Sequence, residues 1–271
     1  MSRPSGAHAR AAVRAAGHAA IWVPAAAALA MLLAWEALVR LRGIPPYILP
    51  SPSLIAITLW DNLDSLLVSW RYTMKITFGA LALALSGGVL LACAFALSRT
   101  LELALFPFAI ALQVTPIVAI APLILIYVDS TTASLLICAF IVAFFPVLSN
   151  TLVGLRSADP NLQDLLTLYG ASRWQRLRWL LAPSALPYLV AGLKISGGLA
   201  LIGAVVAEFA AGAAGRETGL ASRILEASFR TEIPKMYAAL TLVALTGVAI
   251  HVASRMLSRA LLGRWHPSER R

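Results

Sequence analysis

Residues 158–187 read ADPNLQDLLTLYGASRWQRLRWLLAPSALP, a polar and basic interruption between two long apolar runs. Asp159 is placed to accept hydrogen bonds from the free amides of a new helix, and Pro160 suits the first helical position, where its missing N–H is no loss. Gly170 stops that helix; Ser172 caps a second one, carrying Arg173, Trp174, Arg176, Leu177, Arg178 and Leu181, which Pro183 ends. The expectation is two short helices bent at a glycine, with Leu165, Leu166 and Tyr169 as an apolar face beside a cluster of arginines. In a soluble protein such a pair would suggest a DNA-binding helix-turn-helix, but the apolar runs on either side argue against nucleic acid.

The surrounding composition is 60% hydrophobic and 13% charged, about half the charge of an ordinary soluble domain. This is the signature of an all-α integral membrane protein, and 271 residues leave room for five or six spans joined by short loops. Cys93 and Cys138 each lie inside an apolar run, so neither a disulfide framework nor metal-ligand spacing is present.

Residues 1–20 hold Arg3, Arg10 and Arg14 without an acid and are expected to form an irregular cytoplasmic tail. The first span is expected at 21–41, too long an apolar run for a cleaved signal peptide, with Glu36 and Arg40 one turn apart and able to neutralise each other. The outer loop, 42–71, begins with four prolines; Ser53 is then expected to cap a helix over 54–70 lying on the membrane surface. Span two, 76–97, is uncharged, with Gly79, Gly87 and Gly88 permitting close helix contact.

Span three, 103–128, carries Gln113, Thr115 and Pro116 midway. A proline frees backbone carbonyls, which is tolerated at membrane depth only where protein or a watery cavity satisfies them, so these residues are candidates for a translocation path. A merely kinked packing helix is the other reading. Span four, 130–155, precedes the opening stretch, and span five, 186–211, is dense in small residues from Gly192 to Ala204. Glu208 ends the apolar run of span five, where a carboxylate needs a partner or a task, and is a fourth candidate for the path. Residues 212–235 include an amphipathic segment read as interfacial or re-entrant, and span six covers 236–257 before a basic tail, 259–271.

With the N-terminus placed inside, thirteen Lys and Arg fall on inner segments against eight on outer ones, and the acids lie mostly outside. Cytoplasmic excess of Lys and Arg thus accounts for the net charge of +10, and the opening stretch faces the cytoplasm with both termini. No catalytic set emerges, no metal site is expected, and no glycine-rich loop ends in Lys-Ser or Lys-Thr, so any ATP and Mg that drive transport are expected on another subunit. A self-sufficient secondary carrier or channel remains the rival, although buried mid-membrane acids expected of an ion-coupled carrier are not seen.

The opening stretch resembles the cytoplasmic coupling loop of binding-protein-dependent ABC transporter permeases, whose pattern is Glu-Ala-Ala, three residues, Gly, and a later Leu-Pro. Here it stands as Asp164-Leu165-Leu166, Thr167-Leu168-Tyr169, Gly170 and, further on, Ala182-Pro183. LPSP at 49–52, QVTPIVAIAPL at 113–123, FFPVLSNTLVGL at 144–155, GASRWQ at 170–175 and GLALIGAVVAEF at 198–209 are similar to the nitrate/sulfonate/taurine branch of that family.

The resemblance implies a type I importer permease fold with a core over 72–258 and coupling helices in the loop 156–187, between spans four and five. It assigns ATPase coupling to Asp164, Leu165, Leu166, Tyr169, Gly170, Ala171 and Pro183. It further implies a bacterial inner-membrane location, a second copy of the permease, an ABC ATPase, and a periplasmic or lipid-tethered substrate-binding protein. The departures are the shortened acid Asp164, two leucines in place of alanines, Ala182 in place of leucine, and Asp129-Ser130 where that branch has glycine. They leave the substrate open between a nitrate-, sulfonate- or taurine-like anion and a pyrimidine-like heterocycle related to thiamine precursors.

Overall fold

The computed structural model describes the backbone of residues 6–212 and 218–262, with side chains from Trp22 onward. The chain is helical: α1 (Gly6–Arg42), α2 (Pro52–Asp61), α3 (Leu63–Leu97), α4 (Arg99–Val114), α5 (Ile117–Tyr127), α6 (Thr131–Arg156), α7 (Pro160–Leu168), α8 (Arg173–Arg176), α9 (Ala182–Ala211), α10 (Leu220–Phe229) and α11 (Ile233–Leu262), with a π-helical turn, Leu177–Leu181, joining α8 to α9. Five helical stretches are long and apolar enough to cross a membrane, and six if α4 and α5 together form one span.

The core is built around α6, which packs along α9 on one side and α3 on the other. Small residues make the α6–α9 seam close: a methyl group added at Gly203 would lie 2.8 Å from the Ala139 Cα. Ser196 is fully buried there, and its hydroxyl donates to the Ala143 carbonyl at 2.7 Å, which satisfies a polar side chain where no water reaches. Of the small-residue run expected in span five, Gly192, Ser196 and Gly203 therefore face α6, whereas Gly197 faces Ile250 of α11 and Gly198 meets open space. The amphipathic α10 tucks against α11, α9 and α3, burying Leu220, Ala221, Ser222 and Ala227.

The boundaries differ from expectation in four places. Helix α1 starts at Gly6, within the stretch expected to be irregular, because that stretch is rich in alanine, the strongest helix former; the remaining residues of that tail, 1–5, lie outside the described residues, as do 263–271.

The single surface helix expected over 54–70 is two elements. Its cap is Ser51, whose hydroxyl accepts from the Leu54 amide, whereas Ser53 hydrogen-bonds through both amide and hydroxyl to the Glu36 carboxylate. Glu36 thus holds the start of α2 as well as pairing with Arg40 at 2.5 Å.

Helix α2 ends at Asn62, and α3 then runs unbroken for 35 residues, about 52 Å at 1.5 Å per residue, well beyond the roughly 30 Å hydrocarbon layer. Nothing between Leu63 and Phe78 stops a helix, and Arg71 and Lys75 fall on its exposed side, so charge does not end it.

Span three is not one kinked rod. Pro116 has no amide to continue the ladder and pushes Thr115 into extended backbone at φ −76°, ψ 124°, so α4 and α5 meet at 103°. Finally, Pro183 does not end the second short helix. It occupies the first turn of α9, where a missing N–H is tolerated, and the chain stays helical from Arg173 to Ala211.

Candidate functional site

The elbow between α6 and α9 is held by backbone devices that the sequence encodes locally. Asp159 Oδ1 accepts from the Asn161 amide at 2.8 Å and Pro160 opens α7. At the other end the Ala171 amide reaches back to the Leu166 carbonyl at 2.9 Å and the Gly170 amide to Thr167 at 3.0 Å. This doubly bonded helix stop needs a left-handed residue, and Gly170 supplies it at φ +69°. Ser172 and Gln175 then cap each other reciprocally, the Ser172 amide donating to Gln175 Oε1 at 2.7 Å and the Gln175 amide to Ser172 Oγ at 3.3 Å. Arg173 donates to the Leu97 carbonyl and Arg176 to the Thr167 hydroxyl, each at 3.3 Å, which braces α8 against the end of α3 and against α7.

What this frame presents is apolar and uncovered. Leu165, Leu168, Tyr169 and Trp174 project from it, with Leu168 85% and Tyr169 81% exposed. Asp164 and Gly170 are exposed as well, while Leu166 and Ala171 are half-buried at the turn itself. Pro183 lies exposed at the start of α9, one π turn away from the elbow.

Gln113, Thr115 and Pro116 come together at the break between α4 and α5. They line a hollow of about 290 Å³ with Ile141, Val142 and Pro146 of α6 and Leu199 of α9, and no charged side chain borders it. Gln113 and Thr115 are exposed. Gln113 stands about 21 Å along α4 from Arg99. Thr115 satisfies its own hydroxyl on the Ala111 carbonyl at 2.7 Å.

Glu208 is elsewhere. Its carboxylate is 1% exposed and lies in a knot joining three helices. The Thr73 hydroxyl of α3 donates to Oε1 at 2.8 Å, and the Ala221 amide at the start of α10 donates to Oε2 at 3.0 Å. Thr73 Oγ1 also accepts from the Leu220 amide at 2.9 Å, and the carboxylate rests directly against Gly219. The free amides of α10's first turn are thus met by an acid and a hydroxyl from two other helices.

Residues 84–263 match the family described as binding-protein-dependent transport system inner membrane component. The chain belongs to this family. Among its curated relatives, the riboflavin transport system permease protein RibX of Chloroflexus aurantiacus is 38% identical over 88% of each chain. The formylaminopyrimidine transport permease protein ThiX of Halalkalibacterium halodurans is 31% identical over 86% of this chain and 92% of its own. The taurine transport system permease protein TauC of Escherichia coli is 27% identical over 87% and 86%. A crystal structure of an amino acid ABC transporter with histidines superposes with a TM-score of 0.62 at 14% identity, covering 75% of this chain and 97% of that one, and shares the fold.

Within this permease, the exposed apolar residues of the elbow include Leu168 and Trp174, which the apolar face read from the sequence, Leu165, Leu166 and Tyr169, leaves out. Leu168 follows Leu165 at helical spacing and could have been placed on the same face; Trp174 follows the Ser172 cap and could not be placed without knowing the angle between α7 and α8. Glu208 does not join the other path candidates, because its depth in α9 says nothing of which neighbour it faces.

Proposed function

We propose that this permease is one of two identical membrane subunits of an importer, that its elbow receives a separate ABC ATPase at the cytoplasmic face, and that the polar break at 113–116 borders the route of a small solute handed over by a binding protein. The observation that carries this reading is the elbow: four exposed apolar side chains, Leu165, Leu168, Tyr169 and Trp174, on a frame stiffened by two helix caps and a doubly bonded stop. Apolar residues on a short polar-flanked turn outside the apolar spans are what a protein groove takes. Asp164, Leu165, Leu166, Tyr169, Gly170 and Ala171 then form the contact and its bend, Pro183 begins the helix that carries motion away, and ATP and Mg bind on the partner.

A neutral heterocycle is favoured over an anion as substrate. The hollow beside Gln113 and Thr115 has polar amide and hydroxyl groups but no Lys or Arg to attract an anion, and RibX and ThiX are named for riboflavin and formylaminopyrimidine. The complex with ATPase and binding protein, reconstituted in proteoliposomes, tests the scheme. Gly170→Val should reduce the stimulation of ATP hydrolysis by loaded binding protein at least tenfold, because a β-branched residue resists positive φ. Unaltered coupling discards the docking assignment, and solute movement by the permease alone without nucleotide discards the importer itself.

A further inference from the structure

Between the elbow and the turn joining α3 to α4 lies a cavity of about 500 Å³, lined by Ser98, Arg99, Thr100, Gln163, Arg173 and Arg176 among others. A second hollow of about 250 Å³ shares Arg99 and Gln163 with it and adds Glu102 and Arg156. Four guanidinium groups therefore border this space against one carboxylate, a balance of 4 − 1 = +3.

Glu102 is already committed: its Oε2 accepts from Arg99 at 2.8 Å and from Arg156. Arg173 and Arg176 meet no carboxylate among the described residues; each makes one hydrogen bond, at the long distance of 3.3 Å, to a neutral oxygen. Like charges gathered round a concave space raise its positive potential, and the planar fork of arginine matches the oxygens of a phosphate. The amides of Arg99 and Thr100, in the first turn of the 16-residue α4, have no carbonyl partner within the helix and add to the same field. Nearby, Arg178 stacks 5.3 Å from the ring of Trp179, itself exposed, an arrangement suited to the boundary between headgroups and hydrocarbon.

We propose that this cavity is an anion site that takes a phosphate group, either the headgroup phosphodiester of an anionic phospholipid or the phosphate of a soluble molecule. An occupant would bridge Arg99 of α4 to Arg173 and Arg176 of α8 and so brace the elbow from within. The site stands independently of what the permease carries or which ATPase it engages.

The purified full chain in neutral detergent is titrated with phosphatidylglycerol, with phosphatidylcholine, and with inorganic phosphate while its thermal midpoint is followed. A saturable rise with phosphatidylglycerol and none with the other two identifies the lipid source. A rise with inorganic phosphate alone identifies the soluble one, and in either case the response weakens with added sodium chloride.

In Arg173→Gln/Arg176→Gln the half-saturating concentration should rise by about tenfold or more, since two charge-assisted contacts are lost. The Arg230→Gln control, which removes an exposed arginine paired with Glu226 in the loop after α10, should respond as wild type. Should the double variant not fold, Arg173→Lys/Arg176→Lys keeps both charges, loses the forks and should bind more weakly than wild type. The proposal is overturned if neither phosphatidylglycerol nor phosphate shifts the wild-type midpoint, or if the glutamine variant, or its lysine substitute, responds like wild type. An unchanged anion response with weakened hold on the ATPase would make the cavity a protein contact and overturns it too.

Discussion

Glu208 places a carboxylate within reach of Thr73 and Ala221, and Thr73 in turn accepts from the Leu220 amide, so removing Thr73 takes a partner from both Glu208 and Leu220. Thr73→Val keeps the shape and deletes the hydroxyl, leaving the Leu220 amide unbonded; it should lower stability by about 1–3 kcal/mol. Gly219→Ala forces a methyl group into the carboxylate and should lower it by a similar amount, about 1–3 kcal/mol, through overpacking. Thermal unfolding of the purified permease in detergent measures both, and unchanged midpoints in the two variants would mean the knot does not hold α10. From the chain alone one can see that an acid ending an apolar run wants a partner. Its identity is hidden, because Thr73 is 135 positions away and the other donor is a backbone amide with no side-chain signature.

The break between α4 and α5 falls at one dipeptide, Thr115-Pro116. With Pro116 replaced by alanine the missing amide returns and Thr115 is free to become helical, so the two elements should straighten toward one span. Spin labels at positions 105 and 127 should then move apart to about 33 Å, the length of 22 straight helical residues at 1.5 Å each, and uptake by the reconstituted transporter should fall at least tenfold. A label distance equal to that of the parent protein would show that packing of α5 on α6 and α9, rather than the proline, sets the bend.

Composition and periodicity make the existence of each helix readable, and local chemistry makes the elbow caps at Asp159 and Ser172 readable. Angles are not, since a proline permits a kink of any size until neighbours select one. The same holds for the join of 63–70 to span two, decided by what Leu66, Ser69 and Thr73 bury against rather than by a stop signal.

Across the molecule, buried surface is concentrated in α3, α6 and α9, whereas the apolar window of α1 is only 6% buried and α4 and α5 expose Leu103, Phe108, Val114, Val118 and Ile126. Lipid can cover such residues, but it offers no hydrogen-bond partner to the exposed Gln113 amide beside them. Sidedness is checkable: in a Cys93→Ser/Cys138→Ala background, Trp174→Cys should react with an impermeant maleimide only when the cytoplasmic face is open to it, and Thr115→Cys should react slowly but measurably through the route. Labelling of Trp174→Cys in intact cells would reverse the assigned orientation. The charge asymmetry along the chain supports the inward placement, whereas an exposed apolar surface reads the same in sequence whether lipid or protein covers it.

The uninterrupted helix from Arg173 to Ala211 has a further consequence. Its 39 residues extend for about 58 Å, so tipping one end by roughly 5° about the other displaces the far tip by about 5 Å, close to one helical pitch. Glu208 rides near that tip and grips the first turn of α10, so α10 must follow when the helix tips about its elbow end.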